Sequence, residues 1–395
     1  MDKAVSNNKL NGFGKNVYAA GAVSFFMDVS SEMIYPLVPL FLANVLGVNK
    51  SMIGLIEGIA ESTASILKVF SGWLSDKIGR RKGLMLAGYS ISVLSRPVIA
   101  LAGSWQQVLG ARFIDRFGKG IRTAPRDAII AESASPSMLG RAFGFHRSMD
   151  TMGAVVGPMI AFFMLSAFAD DYRKVFWLSL IPAIIAIAVI AFFISEKKAR
   201  DGFAERPRLT RAHFDWRFKF FVAVVALFSL GNSSDVFLIL RAEQAGISSA
   251  MIPIVYLTFN LVYSISSFPA GAAADRFGRR RVILAGFVLF AGIYYGFAVS
   301  TGATAVWLLF GLYGVFMGLT EGVQKAFLAT IIPSDFKATA FGIYNTAVGL
   351  ALLPASVIGG WLWDHVSPAA TFYFGAGTAV LSAGMFVVFI LTTKR

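Results

Sequence analysis

Long apolar runs dominate the pattern of hydrophobic and polar positions along this chain. Each run is about 20 residues long, the length that an α-helix needs to cross the hydrocarbon core of a bilayer. Runs such as AIIAIAVIAFFI, residues 183–194, do not alternate in polarity, so they do not fit the strands of a membrane β-barrel. The pattern predicts an all-α membrane protein with twelve transmembrane helices, near residues 16–43, 50–72, 83–103, 106–131, 141–167, 174–194, 217–241, 250–274, 282–300, 303–330, 337–362 and 368–392.

Composition supports a membrane protein and excludes several other classes. Hydrophobic residues make up 56% of the chain and charged residues 15%, against about 25% charged in a typical soluble domain. The net charge of +14 accompanies too high an apolar fraction for a nucleic-acid-binding domain, so no nucleic-acid partner is expected. Cysteine is absent, and the chain has no nucleotide-binding loop or metal-ligand cluster. We therefore expect no enzyme, no metal site and no cofactor.

Lysine and arginine cluster in alternate connections between the predicted spans. They are frequent in residues 77–82, 195–216 and 276–281, whereas the connections at 44–50 and 169–174 are short and nearly neutral. Because positively charged connections stay in the cytoplasm, both termini are predicted to be cytoplasmic. The predicted location is the inner (cytoplasmic) membrane, with multiple passes.

The two halves of the chain repeat each other. GWLSDKIGRRK at residues 72–82 recurs as GAAADRFGRRR at residues 271–281, and RAFGF at 141–145 recurs as TAFGI at 339–343. Such a repeat predicts two copies of one six-helix unit, a plan typical of secondary transporters. The predicted domains are an N-terminal bundle (1–194), a cytoplasmic linker (195–216) and a C-terminal bundle (217–395).

The repeated element resembles the signature loop of the major facilitator superfamily, and the resemblance extends to the whole duplicated plan. It implies two pseudo-symmetric bundles that rock against each other around a central site, driven by the proton gradient. Asp76 and Asp275 would then form gating charge contacts at span ends. The alternative is that these loops are only solvated and positively charged. The matching residues are Gly72, Asp76, Gly79 and Arg80 in the first copy and Gly271, Asp275, Gly278 and Arg279 in the second.

A second resemblance lies in predicted span 5. GAVVGPM, with Gly153, Gly157 and Pro158, resembles an element of antiporters that export their substrates. The resemblance implies export. Glycines four residues apart also allow a neighbouring helix to approach closely, so ordinary helix packing is the alternative.

Predicted span 4 carries a row of cations at membrane depth. Arg112, Arg116, Lys119 and Arg122 share one helical face with Asp115. A cation at the bilayer centre costs about 2.5–3.5 kcal/mol, so this face should point into a protein interior or a water-filled cavity. Arg112 matches the single arginine of span 4 in the superfamily, which implies a role in proton coupling, and we assign Asp115 to the same function.

Two roles stay open for Arg116, Lys119 and Arg122. Arginine is suited to bind a carboxylate or phosphate, so these cations could contact an anionic substrate. They could instead pair with acids of the protein itself. The candidate internal partners are Asp115, Asp127, Glu57 and Glu61.

Predicted span 1 carries the acids Asp28 and Glu32 on one face, with Tyr35 close by. Acids inside a membrane are functional candidates by default. In the superfamily, spans 1, 4, 7 and 10 line the cavity, so the resemblance implies that these acids face the span 4 cations. We predict that Asp28 and Glu32 carry protons, with a static salt bridge as the alternative.

The second half offers fewer charged candidates. Span 7 contains Asn232 and Asp235, and span 10 contains Glu321 and Lys325. We predict that these four side chains contact substrate together with Tyr35. Glu321 and Lys325 are also spaced to pair with each other on one helix.

The leading functional prediction is a proton-coupled secondary transporter that works as a monomer in the lipid bilayer. It is expected to export a small organic anion or amphipathic compound. One alternative is a broad-specificity drug:proton antiporter, and another is a transporter of siderophores or other metal chelates. An alternative of a different class is a non-transporting membrane receptor or lipid-handling protein.

Overall fold

The computed structural model describes residues 14–78, 81–134, 139–168, 170–196, 215–332 and 337–393. These residues are almost entirely helical and include no β-strand. The helices, in chain order, are α1 (Lys15–Val45), α2 (Lys50–Ile78), α3 (Arg81–Leu101), α4 (Trp105–Glu132), α5 (Leu139–Ala167), α6 (Tyr172–Phe193), α7 (Trp216–Gln244), α8 (Ile252–Phe277), α9 (Arg279–Val299), α10 (Ala303–Ile331), α11 (Lys337–His365) and α12 (Pro368–Thr392).

Ten helices within the described ranges are long and apolar enough to cross a membrane. Helices α2 and α4 have 29 and 28 residues, comparable in length, but they fall outside this group. Large apolar side chains such as Phe192 and Phe268 are exposed on the outside of the molecule, as expected where lipid is the solvent. The prediction of an all-α protein with many membrane-length helices is confirmed.

The helices form two packed groups, α1 to α6 and α7 to α12, which are joined mainly where α2 meets α11 and α5 meets α8. Small residues bring α2 and α11 into close contact. A Cβ on Gly54 would lie 2.2 Å from the backbone oxygen of Ser356, and the Ser62 hydroxyl donates to the Gly349 carbonyl oxygen at 2.7 Å. Residues 197–214 lie outside the described residues, so the linker at 195–216 stays a prediction.

Helices α1 and α7 are interrupted near the middle of the bundle. Helix α1 has segments Lys15–Ile34 and Val38–Leu40 followed by a π-helix, Phe41–Val45, and Pro36 and Pro39 supply no N–H donors around the break. Helix α7 has segments Trp216–Gly231 and Val236–Gln244. The break in α7 contains the polar residues Asn232, Ser233, Ser234 and Asp235. (Helix α6 also divides, at Ser179.)

One end of the molecule is closed by hydrogen bonds between the two groups. The Asp364 carboxylate at the end of α11 accepts from the backbone N–H of Lys50 (3.1 Å) and from the N–H (2.6 Å) and hydroxyl (2.7 Å) of Ser51 at the start of α2. Nearby, the Asn44 amide donates to Glu243 at 2.6 Å. Under the predicted topology, this closed end is the extracytoplasmic one.

Candidate functional site

A cavity of about 370 Å³ lies between the two groups of helices, at the level of the breaks in α1 and α7. One wall is built by α1 to α4 and the other by α7, α8, α10 and α11. The cavity is of the size that takes a small ligand. Many of its side chains were predicted from the sequence, which left open whether the cations pair with Asp115, Asp127, Glu57 and Glu61.

Arg112 is neutralised by an acid of the neighbouring helix. Its guanidinium donates to both carboxylate oxygens of Glu57 on α2, with Nε 2.8 Å from Oε1 and a second, short contact to Oε2. The guanidinium also lies 5.5 Å from the centre of the Tyr35 ring. Helix α2 therefore holds Arg112 through a buried, bidentate ion pair. A role of Arg112 in proton coupling stays a prediction.

Arg116 and Asp115 belong to a second buried network. Arg116 pairs with Glu61 at 2.8 Å and lies 3.7 Å from Asp115, yet its Nε has no hydrogen-bond partner in the described part of the chain. Asp115 pairs at 2.6 Å with Arg96 of α3. Arg116 and Asp115 are thus both paired with oppositely charged side chains of the protein itself.

Arg96 is a site residue that the sequence reading missed. It is buried and lines the cavity, and it also donates to the hydroxyls of Ser30, Ser31 and Ser95. A single arginine inside an otherwise apolar predicted span was the available signal.

Arg122 differs from the other arginines of α4. Its guanidinium stacks on the Tyr89 ring at 4.2 Å and the residue is 6% exposed. Its Nη1 has no hydrogen-bond partner, and no described acid forms an ion pair with it. Lys119 lines the cavity one turn away. The structure therefore leaves Arg122 available to bind an anion.

Asp28 and Glu32 line the same wall as Arg122. The acid Asp150 and the cations Lys119, Arg122 and Arg126 lie within electrostatic range of Asp28. Neither acid forms an ion pair with a described residue, and Glu32 Oε2 is buried without a hydrogen-bond partner. The static salt bridge that the sequence left open is thus not seen among the described residues.

The glycines of the antiporter-like motif lie directly behind these acids. A Cβ on Gly153 would lie 2.8 Å from the Asp28 Cβ, and one on Gly157 would lie 2.9 Å from the Glu32 Cβ. The motif therefore lets α5 pack closely against the acidic face of α1. Pro158 follows inside the same helix. Close helix packing is sufficient to explain these residues.

The opposite wall is formed by the break in α7. Asn232, Ser233 and Asp235 line the cavity there. The Tyr313 hydroxyl of α10 donates to Asp235 Oδ1 at 2.8 Å and approaches Asn232 Oδ1 at 3.3 Å. The Ser233 hydroxyl is buried without a partner in the described residues. Tyr35 also lines the cavity, with its ring 5.4 Å from that of Tyr256.

Glu321 and Lys325, predicted to contact substrate, do not line this cavity. They pair with each other at 3.1 Å, and Tyr263 donates to Glu321. Their side chains are 41% and 46% exposed, respectively. The spacing that allowed them to pair on one helix explains their placement.

The second signature loop carries a local ion pair. Asp275 lies 3.6 Å from Arg279, and the chain turns at Gly278 with a φ of 93°, which favours glycine. The Gly271 position faces open space. In the first copy, Gly72 and Asp76 lie in α2 without described side chains, and Gly79 and Arg80 lie outside the described residues. The gating role of the two loops stays a prediction.

Comparisons with known proteins agree with this architecture. The sequence profile of the Major Facilitator Superfamily matches residues 20–240 and 219–395. An uncharacterized MFS-type transporter of Methanocaldococcus jannaschii is 36% identical over 384 residues, which cover 95% of each chain. A probable 4-methylmuconolactone transporter of Cupriavidus pinatubonensis is 27% identical over 87% of this chain and 81% of that protein. A mutant of the nucleoside transporter NupG has the same fold, with a TM-score of 0.82 at 13% identity over 95% of this chain and 99% of that one.

Proposed function

Because this chain belongs to the major facilitator superfamily, we propose that it is a proton-coupled secondary transporter for a small organic anion. The anion binds in the central cavity, which opens alternately to the two sides of the membrane. One observation supports the proposal: Arg122 lies on the same cavity wall as the acids Asp28 and Glu32, and none of the three forms an ion pair with a described residue.

The proposed topology has twelve membrane-crossing helices and cytoplasmic termini. Ten helices are apolar enough by themselves, and α2 and α4 cross with them because charged side chains such as Glu57 and Arg116 are buried inside the protein. Arg112 and Glu57 neutralise each other in the interior, which removes most of the penalty for placing them at membrane depth. The duplicated plan and the positive connections support this topology.

The cavity volume favours a small solute. About 370 Å³ lies at the low end of the roughly 300–1,000 Å³ of ligand pockets. This favours a small organic anion over the siderophore or metal chelate that the sequence left open. The Cupriavidus relative, by its name, also transports a small organic compound.

Anion binding and proton binding should favour each other in this site. An anion on Arg122 and Lys119 offsets part of the positive charge that stabilises the ionised forms of Asp28 and Glu32. A proton on either acid removes a negative charge that repels the anion. By linkage, each ligand raises the affinity for the other. Co-binding predicts that proton and anion move in the same direction. Export, predicted from the glycine motif, is the alternative direction, and close packing of α1 on α5 already explains those glycines.

Benzenesulfonate tests the coupling, since its charge does not change with pH. We expect the affinity of the purified protein for it to rise by about tenfold or more between about pH 8 and about pH 5. The double variant Asp28→Asn, Glu32→Gln should bind benzenesulfonate tightly at both pH values, because the two acids no longer repel the anion. Isothermal titration calorimetry measures both affinities. An affinity independent of pH in the unmodified protein would contradict the coupling, and an unchanged affinity in Arg122→Gln would contradict the anion site.

Flux in proteoliposomes separates transport from the receptor alternative. An imposed inward proton gradient should drive labelled benzenesulfonate inward in the unmodified protein. The Asp28→Asn, Glu32→Gln variant should still exchange the label down its own gradient but should not accumulate it. If the protein instead moves lipophilic cations outward, and the Arg122→Gln variant does so at the same rate, the result would favour the drug:proton antiporter.

The hydrogen bonds of Asp364 give a prediction for alternating access. Asp364→Ala removes three hydrogen bonds that hold α11 to the start of α2 at the closed end. Hydrogen bonds to a charged group contribute about 1.5–3 kcal/mol each. We therefore expect the population of molecules that are open at this end to increase by at least tenfold. The chain contains no cysteine, so Ser234→Cys provides a single label site inside the cavity.

The measurement is the rate at which a membrane-impermeant maleimide applied from the extracytoplasmic side labels that cysteine. Asp171→Ala is the control, because Asp171 caps the start of α6 within one group of helices. Equal labelling rates in the Asp364 and Asp171 variants would mean that Asp364 does not hold this end closed.

A further inference from the structure

The two walls of the cavity differ in the charge that they leave unpaired. On the α4 wall, Arg122 Nη1 and Arg116 Nε lack hydrogen-bond partners among the described residues. On the α7 wall, Asp235 forms no ion pair with a described residue. The internal ion pairs therefore leave positive donors on one side and a carboxylate on the other.

Asp235 is held in place by neutral groups. Its Oδ1 accepts a hydrogen bond from the Tyr313 hydroxyl at 2.8 Å. The charged groups that act on it from α2 are Glu61 and Glu57, which are acids as well. A carboxylate whose neighbours are a neutral hydroxyl and two acids would be stabilised by a cation that arrives with the ligand.

Aromatic rings and a free hydroxyl complete this end of the cavity. Tyr256 and Tyr313 both line it, and Phe259 packs between them with ring centres 5.4 Å and 5.2 Å away. Tyrosine faces attract ammonium groups. The Ser233 hydroxyl, on a residue that is only 6% exposed, has no described partner and also lines the cavity. A carboxylate, tyrosine rings and a hydroxyl acceptor together suit a protonated amine.

We propose that the substrate is a zwitterion whose anionic group binds at Arg122 and whose ammonium group binds at Asp235. This inference rests on the proposed function and specifies its substrate class. A ligand with only an anionic group leaves Asp235 without a counter-charge, and a ligand with only an amine leaves Arg122 without one. A zwitterion satisfies both walls at once, so neither charge stays uncompensated.

Matched ligands that differ only in their charged groups test the substrate class. One series is 4-(aminomethyl)benzoate, 4-methylbenzoate and 4-methylbenzylamine, and the other is 4-aminobutyrate, butyrate and butylamine. Binding to the purified full-length protein is measured by thermal shift and calorimetry. In at least one series, we expect the zwitterion to bind about tenfold or more tightly than both partners, a difference of about 1.4 kcal/mol.

Variants of the α7 wall locate the ammonium group. Asp235→Asn should lower the affinity for the zwitterion by about tenfold but should not lower that for the anion, because it removes a like charge from the cavity. Asp235→Glu, which keeps the charge, should retain part of the preference and control for local structure. Arg122→Gln should weaken both the zwitterion and the anion. Asp171→Asn is the same substitution at a residue that does not line the cavity. It should change neither the affinity for the zwitterion nor that for the anion.

Each outcome decides a different claim. If the anions bind as tightly as the zwitterions and Asp235→Asn has no effect, the zwitterion inference is wrong while anion transport stands. If only the amines bind, the inference and the proposed anion site both fail. If none of the six compounds binds, the inference is also overturned, because the cavity has the volume that these ligands require.

Discussion

Glu57→Gln is expected to lower the free energy of unfolding by about 3–5 kcal/mol, because it leaves the buried charge of Arg112 without its counter-charge. The two side chains form a bidentate pair between α2 and α4, and both are buried. Arg112 has few alternatives, since Glu61 is engaged by Arg116 and Asp115 by Arg96. Removing one member of this network thus leaves a cation buried without a counter-charge.

The double variant Glu57→Gln, Arg112→Gln should recover most of that loss, because a neutral amide pair replaces an unpaired charge. Thermal and denaturant unfolding of the purified protein in detergent measure both variants. Lys325→Ala is the matched control: its partner Glu321 is on the same helix, both side chains are more than 40% exposed, and exposed pairs contribute about 0–1 kcal/mol. A loss for Glu57→Gln no larger than that of Lys325→Ala would mean that Arg112 does not depend on Glu57.

Gly157→Ala is expected to destabilise the protein by about 1–3 kcal/mol, the usual cost of overpacking a tight contact. A Cβ at this position would lie 2.7 Å from the backbone oxygen of Val29 and 2.9 Å from the Glu32 Cβ. Neither atom is the end of a flexible side chain, so α1 or α5 must shift. Because Glu32 moves with α1, the pH dependence of benzenesulfonate affinity should change as well.

Gly271→Ala provides the control within the other predicted motif. No heavy atom lies within 4 Å of a Cβ built there, and the residue is inside α8. Alanine is favoured over glycine in helices by about 1 kcal/mol, so this variant should be neutral or more stable. Thermal unfolding compares the two substitutions. A Gly157→Ala variant as stable as Gly271→Ala would show that α1 and α5 can separate without loss.

The sequence predicted which residues line the cavity better than it predicted how those residues pair. Asp28, Glu32, Arg116, Lys119, Arg122, Asn232 and Asp235 all line the cavity, because a charged or amide side chain in an apolar span has few places to go other than an interior cavity. The same reasoning overlooked Arg96, which was treated as part of an apolar span. It also placed Glu321 and Lys325 at the cavity, although their spacing on one helix lets them pair outside it.

By itself, the sequence determined the fold class, the membrane setting and the surplus of buried charge. Run length and side-chain polarity are local properties, and the bilayer converts them directly into membrane-length helices. The tertiary structure alone decided which charges stay unpaired. Glu57 pairs with Arg112, Glu61 with Arg116 and Asp115 with Arg96, through helices whose relative rotation no single segment encodes. Ion pairing falls off steeply with distance, so the packing of α2 and α3 against α4 leaves Arg122, Asp28 and Asp235 without an ion-pair partner among the described residues.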